Sequence, residues 1–250
     1  MLKKKVHAIA IKIFALLLLF GTAHQTRSQD AAMLYPKMAP IEKYLMARDA
    51  EIALARSAAP DAISQEASVI VLTRHGYETA VEGKNGWVCW VGRGWMAMFD
   101  HPEFWNPKVR AADCLNPPAA HSLLPYAYKR TELLLAGHSK QEVIAAIKSA
   151  IDKKELPALE RGAVSYMMSK SSYLTDDVVH NLPHLMFFDK PDAPWGANLT
   201  NGPIVSVNYW YLSAEAYPQL KSFPPMAVFL VMVDKWSDGT PVPFTATHRH

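Results

Sequence analysis

Apolar and polar positions alternate along the chain in blocks of recognisable period. From Pro40 to Ser57, Ile41, Leu45, Arg48, Ile52 and Ala55 fall near one face of a 3.6-residue repeat, which predicts a helix with Pro40 in its first turn. Ser68–Thr73 reads SVIVLT, a β-branched run expected to form a buried strand. Asn85-Gly86 separates two strand-like runs and is the pair that a two-residue type I′ hairpin turn prefers. Pairing outward from it sets Val81 opposite Trp90, Ala80 opposite Val91 and Glu78 opposite Arg93. Two apolar pairs and one opposite-charge pair in a single register support that hairpin.

Residues 94–118 are rich in proline and aromatics, too apolar for a flexible linker, and are expected as an ordered loop pinned at Cys114. Two helices come next. Ala119–Ala136 has helical composition with Pro125 as a kink or a late start. Ser139–Lys154 opens with Ser139 and Glu142 at capping-box spacing and continues with Val143, Ile144, Ile147 and Ile151 on one face. Strand-like runs then cover Ala163–Met168, Leu185–Phe188, Ile204–Tyr211 and Met226–Val233, separated by turn-rich stretches around Pro191, Pro194, Gly196, Asn201-Gly202 and Pro224-Pro225. No helices alternate with these late strands. The pattern predicts a single α+β domain over residues 40–245, mainly an antiparallel sheet with segregated helices on one side.

The amino terminus changes the picture of charge. Lys3, Lys4 and Lys5 precede an apolar run from Ala8 to Phe20, interrupted by Lys12, and Gly21-Thr22-Ala23 supplies small residues for cleavage. This is the pattern of a secretory signal, expected over residues 1–23, with 24–39 a poorly ordered lead-in. Its apolar run is about 13 residues where a spanning helix needs roughly 20, so no stable membrane span is expected after cleavage. With four lysines removed, the formal charge of +3 becomes 22 basic against 23 acidic residues. A near-neutral chain lacks the basic surface that non-specific nucleic-acid binding requires. Export to the periplasm or the medium also favours a disulfide between Cys89 and Cys114, the two cysteines of the chain. Two buried thiols are the alternative.

Candidate chemistry is sparse. Arg74-His75-Gly76 ends the SVIVLT run and resembles the signature of histidine phosphatases, in which a strand ends in Arg-His-Gly. The resemblance implies His75 as phosphoryl-accepting nucleophile and Arg74 as phosphate clamp. In that family a helix comes after the motif, whereas here Gly76 leads into the expected hairpin. The chain also departs at the second histidine, where His138 sits between two expected helices, and it lacks strand–helix alternation. His180 and His184 have helical metal-ligand spacing but flank Pro183; with Asp176, Asp177 and His75 they are a candidate mixed metal site for a hydrolase. Trp87, Trp90, Trp95 and Trp105 place four of the seven tryptophans within 19 residues. Such a cluster serves either as core or as the wall of a ligand cleft, and Tyr77, Trp90, Trp95 and His184 are the candidate ligand-facing residues. A GxSxG elbow, a Ser-x-x-Lys, an HExxH and a Gly-rich phosphate loop are all missing, so the sequence names no cofactor.

The segments LTRHGYETAVEGKNGWVCWV, FWNPKVRAADCLNPPAA, KKELP, PHLMFF, WGANL and DKWSDGTP are similar to those of a family of exported bacterial proteins with no assigned activity. That resemblance implies one domain from the first helix to near the carboxyl terminus and carries over no catalytic residue. The expected function is binding of a small ligand or envelope partner, with phosphoester or metal-dependent hydrolysis as the alternative.

Overall fold

The computed structural model describes residues 34–177, 181–190, 205–207, 223–224 and 226–243. The expected signal segment 1–23, most of the lead-in, His180 and most of the run Ile204–Tyr211 lie outside them. Strand β1 is Ser68–Thr73, the expected buried run. Its side chains alternate between two apolar clusters, Val69 and Val71 on one face and Ile70 and Leu72 on the other. A two-residue turn at Arg74-His75 leads into β2, Gly76–Val81, which runs back antiparallel with Leu72 opposite Tyr77. Gly76 supports that turn with φ of 121°.

Strand β3, Val88–Gly92, then lies parallel to β1 on its other side, with Val69 opposite Cys89. The expected hairpin at Asn85-Gly86 is therefore not formed. β1 separates β2 from β3, and the pairs Val81/Trp90, Ala80/Val91 and Glu78/Arg93 do not occur. Asn85 spends its side chain elsewhere: Oδ1 accepts the Trp87 N–H and Nδ2 donates to the Ile63 carbonyl. The N–H groups of Lys84 and Asn85 both donate to the Glu66 carbonyl, tying the loop across the start of β1. The tight turn fell one connection earlier.

Strands β4 (Ala111–Leu115), β5 (Ala163–Met167), β6 (His184–Asp189), β7 (Val205–Val207) and β8 (Ala227–Met232) complete one eight-stranded sheet. Its order is β2-β1-β3-β4-β5-β6-β8-β7, antiparallel at every pair except β1–β3. Cys89 and Cys114 are directly opposite on β3 and β4 and form a disulfide. It staples two neighbouring strands, where the sequence suggested an anchor for a loop.

The expected helix from Pro40 to Ser57 divides into a 3-10 turn at Ile41–Lys43 and helix α1, Arg48–Arg56. Between them Tyr44 is fully buried, its ring against Trp95 and its hydroxyl donating to the Trp105 carbonyl. A continuous helix would give up that insertion. After the single turn α2, Asp61–Ser64, come the long helices α3 (Pro117–Leu135) and α4 (Lys140–Asp152). α3 starts at Pro117 and passes through Pro125, capped by Asn116, whose Oδ1 accepts the Ala119 N–H. α4 has the expected capping box between Ser139 and Glu142.

The α+β class is as expected, but the helices cover both faces of the sheet. Ala55 of α1 packs with Val69, Val71, Cys89, Val91 and Cys114. Leu123 and Leu124 of α3 and Val143 and Ile144 of α4 pack on the opposite face with Ile70, Leu72 and Trp90. Among the described residues no helix is long and apolar enough to cross a membrane.

Candidate functional site

Among the described residues the helices do not cover the second face of the sheet along its whole length. Beyond the helices, a loop spanning residues 93–110 arches over it and leaves a cleft of about 360 Å³. The loop holds its shape through its own contacts. Gly94 lies so close to the far limb that a Cβ there would stand 2.6 Å from the Glu103 carbonyl oxygen. Glu103 anchors that limb: one carboxylate oxygen accepts from the Thr175 hydroxyl and the Asp176 N–H, and the other from Asn106 Nδ2. Asp176 in turn gathers Lys108, Tyr173, Tyr35 and Asn106. Burial alone would raise its pKa, but those donors together hold the carboxyl well below the usual range. Tyr35 makes residues 34–39 part of this frame, not a loose lead-in.

The floor comes from the sheet itself. Trp90 of β3 lies opposite Asp113 of β4, and Met167, Met186 and Leu230 carry the same face across β5, β6 and β8. The lining is overwhelmingly apolar. Four methionines, Met96, Met98, Met167 and Met186, give it the adaptable, polarizable wall typical of sites that accept varied apolar shapes.

Arg93, His101 and Glu103 of the loop are the polar members of this lining, and Asp113 is the charged residue on the sheet side. Asp113 is 5% exposed, and burial pushes its carboxyl up to about 7, opposed by the nearby Ser165 hydroxyl, the Trp90 indole and the Cys114 N–H. Yet Asp113 Oδ1, Trp90 Nε1 and Ser165 Oγ, all buried, make no hydrogen bond of good geometry. A single buried polar atom without a partner costs about 1–3 kcal/mol, and here three lie together beside an apolar cleft.

The residues singled out from sequence divide around this site. Trp90 lines the cleft. Tyr77 sits behind it, ring edge-on to Trp90 at 5.1 Å and hydroxyl donating to the Val91 carbonyl. Trp95 is fully buried with its indole N–H on Thr131, a core position with no face toward the cleft. His184 is buried opposite Met167 on the same face of β6 as Met186, though it does not itself line the cleft, with Nδ1 on the Leu182 carbonyl. Burial lowers its pKa, opposed by that carbonyl.

Arg74 and His75 form the exposed β1–β2 turn, and Arg74 pairs with Glu42. Neither lines the cleft, and His138 is exposed between α3 and α4, so the elements of the phosphatase pattern are not assembled around a pocket. Of the candidate metal residues, His180 lies outside the described residues. Among those described, no group of three or more His, Cys, Asp or Glu is placed to hold a metal.

A second, wider concavity of about 810 Å³ lies beside α1, but Asp49, Asp61 and Asp238 stand exposed around it. Sequence reasoning missed Asp113, although a signal was present. It is the one charged residue in the otherwise buried strand AADCL, on the same parity as Trp90 across the ladder. Compared with known proteins, the chain matches no family model, no curated relative and no solved structure.

Proposed function

We propose that this chain is an exported binding protein that takes a small, largely apolar molecule into the cleft between the sheet and the 93–110 loop. The observation that carries this reading is the cleft's composition, an apolar lining around a buried carboxyl with three unpartnered polar atoms. Few polar groups set in an apolar wall fix orientation, while the wall supplies affinity. A volume of about 360 Å³ lies at the small end of the range for ligand pockets, roughly 300–1,000 Å³. The loop that roofs the cleft is held by Glu103 and Gly94, so the site is preformed and binding does not have to order it. The Cys89–Cys114 disulfide supports placement in an oxidising compartment.

The test uses the full chain and Nile red, an apolar dye whose emission rises when it leaves water. Saturable one-to-one enhancement is expected, and Met186→Trp, which fills the cleft, is expected to abolish it at an unchanged melting temperature. Dye binding that does not saturate, or that survives in the filled variant, would overturn the reading.

A further inference from the structure

From the charges around this cleft we infer that its ligand is an apolar monoamine, whose ammonium group pairs with Asp113. The inference rests on the binding reading above and deepens it to a ligand class.

The carboxyl of Asp113 has donors beside it and no cation. Trp90 Nε1–H and the Ser165 hydroxyl lie close enough to favour its charged form, yet neither closes a hydrogen bond onto it. Both are placed to tighten once the carboxylate charge is fixed. No ion pair reaches Asp113 among the described residues. The member missing from this arrangement is a positive charge.

The groups facing Asp113 from the packed elements do not supply it. From the roofing loop come Arg93, His101 and Glu103. Arg93 is wholly buried and committed, with Nη2 2.8 Å from Glu51 Oε1 and its other nitrogens on the Tyr44 and Val91 carbonyls. Glu103 adds a second carboxylate, satisfied by Thr175, Asp176 and Asn106 and by no cation. His101 accepts the Glu103 N–H at Nδ1. Among the described residues β5, β6 and β8 contribute Met167, Met186, Val228 and Leu230 to this wall, with Ser165 beside Asp113 and His184 opposite Met167.

Two carboxylates therefore line the cleft against one guanidinium that Glu51 already neutralises. That field repels an anionic ligand and leaves a neutral one with no charge to set against the buried acid. An ammonium group answers both, and an apolar body fills the methionine-lined remainder.

Isothermal titration of the full chain with 2-phenylethylamine, 2-phenylethanol and 3-phenylpropanoate tests this. The amine is expected to bind tightest, and to bind roughly ten-fold or more tightly at about pH 8.5 than at about pH 5.5, where Asp113 regains its proton. Asp113→Asn is expected to weaken the amine by roughly ten-fold and to leave the alcohol within about two-fold. The pH arm uses the unmodified protein, so it decides the matter even if that variant folds poorly.

Equal binding of amine and alcohol without pH dependence, or preference for the carboxylate, would overturn the amine inference and leave the binding cleft in place. Failure of all three while Nile red still saturates would do the same. Failure of all three and of Nile red would overturn both.

Discussion

Replacing Asp113 with asparagine keeps the side chain's shape and removes its proton equilibrium, so the variant isolates what burial does to this carboxyl. In the folded chain the group titrates near 7, against 3.8 for a free side chain. Between those values the native state holds a proton that the unfolded chain has released, so stability falls as pH rises from about 4 to about 7 and stays low above that. At about 1.4 kcal/mol per pH unit over roughly three units, the loss approaches about 4 kcal/mol. The asparagine variant is spared it. An amide that finds no partner adds a cost of about 1–3 kcal/mol, but that cost is the same at every pH. Titration of other groups cancels between the two proteins.

Urea unfolding followed by circular dichroism, with the disulfide intact, measures both proteins between about pH 4.5 and pH 8.5. The stability of the variant minus that of the parent is expected to rise by about 3–4 kcal/mol across the range. A difference that stays constant with pH would refute the reasoning, because Asp113 would then be ionised in the native state without penalty.

Glu51→Ala strands the buried Arg93 guanidinium without its carboxylate, and a loss of about 3–5 kcal/mol is expected by urea unfolding. A loss under about 1 kcal/mol would mean that the carbonyls around Arg93 suffice. Replacing Cys89 and Cys114 together with serine opens a loop with a sequence separation of 25, and calorimetry is expected to show about 3 kcal/mol less stability. Gly94→Ala puts a methyl group against the Glu103 carbonyl; the 93–110 loop must shift, with about 1–3 kcal/mol lost and the Nile red site weakened. His184 has a pKa lowered mainly by burial, so the unfolded chain gains its proton first as pH falls. Stability is lost below about pH 6.5, and His184→Gln is expected to flatten that part of the urea profile.

Local signals in the sequence translated well where one element decided the outcome. The Ser139/Glu142 box and the SVIVLT strand depend on near neighbours, and both formed as read. The hairpin depended on which of two short connections would reverse the chain. Asn85-Gly86 carried the stronger turn preference, but Arg74-His75-Gly76 made the reversal, because β1 is apolar on both faces and belongs inside the sheet with a neighbour on each edge. Turn propensity alone could not weigh that burial. Tyr44 broke the first helix for a related reason, since its place under Trp95 is set by residues about 50 positions away. The tryptophan cluster pointed to the right region and mixed two roles. Trp90 and Trp95 are close in sequence, yet one borders the cleft and the other closes the core.

The position of Asp113 is hard to understand as packing. Its neighbours along β4, Ala112 and Cys114, sit in the other apolar cluster, and across the ladder it meets Trp90 in a wall of methionines and aliphatics. A leucine or methionine there would remove a pH-dependent cost and an unpartnered oxygen together. The buried pair of Arg93 and Glu51 differs in that each charge has its opposite and the pair ties α1 to the end of β3. The Asp113 side chain has no charged partner among the described residues, and its Oδ1 is buried without a hydrogen bond. A carboxyl that lowers stability and leaves one oxygen unpartnered fits the proposed amine site better than it fits a packing role. The orphaned indole and hydroxyl beside it mark where the amine's polar end would lie.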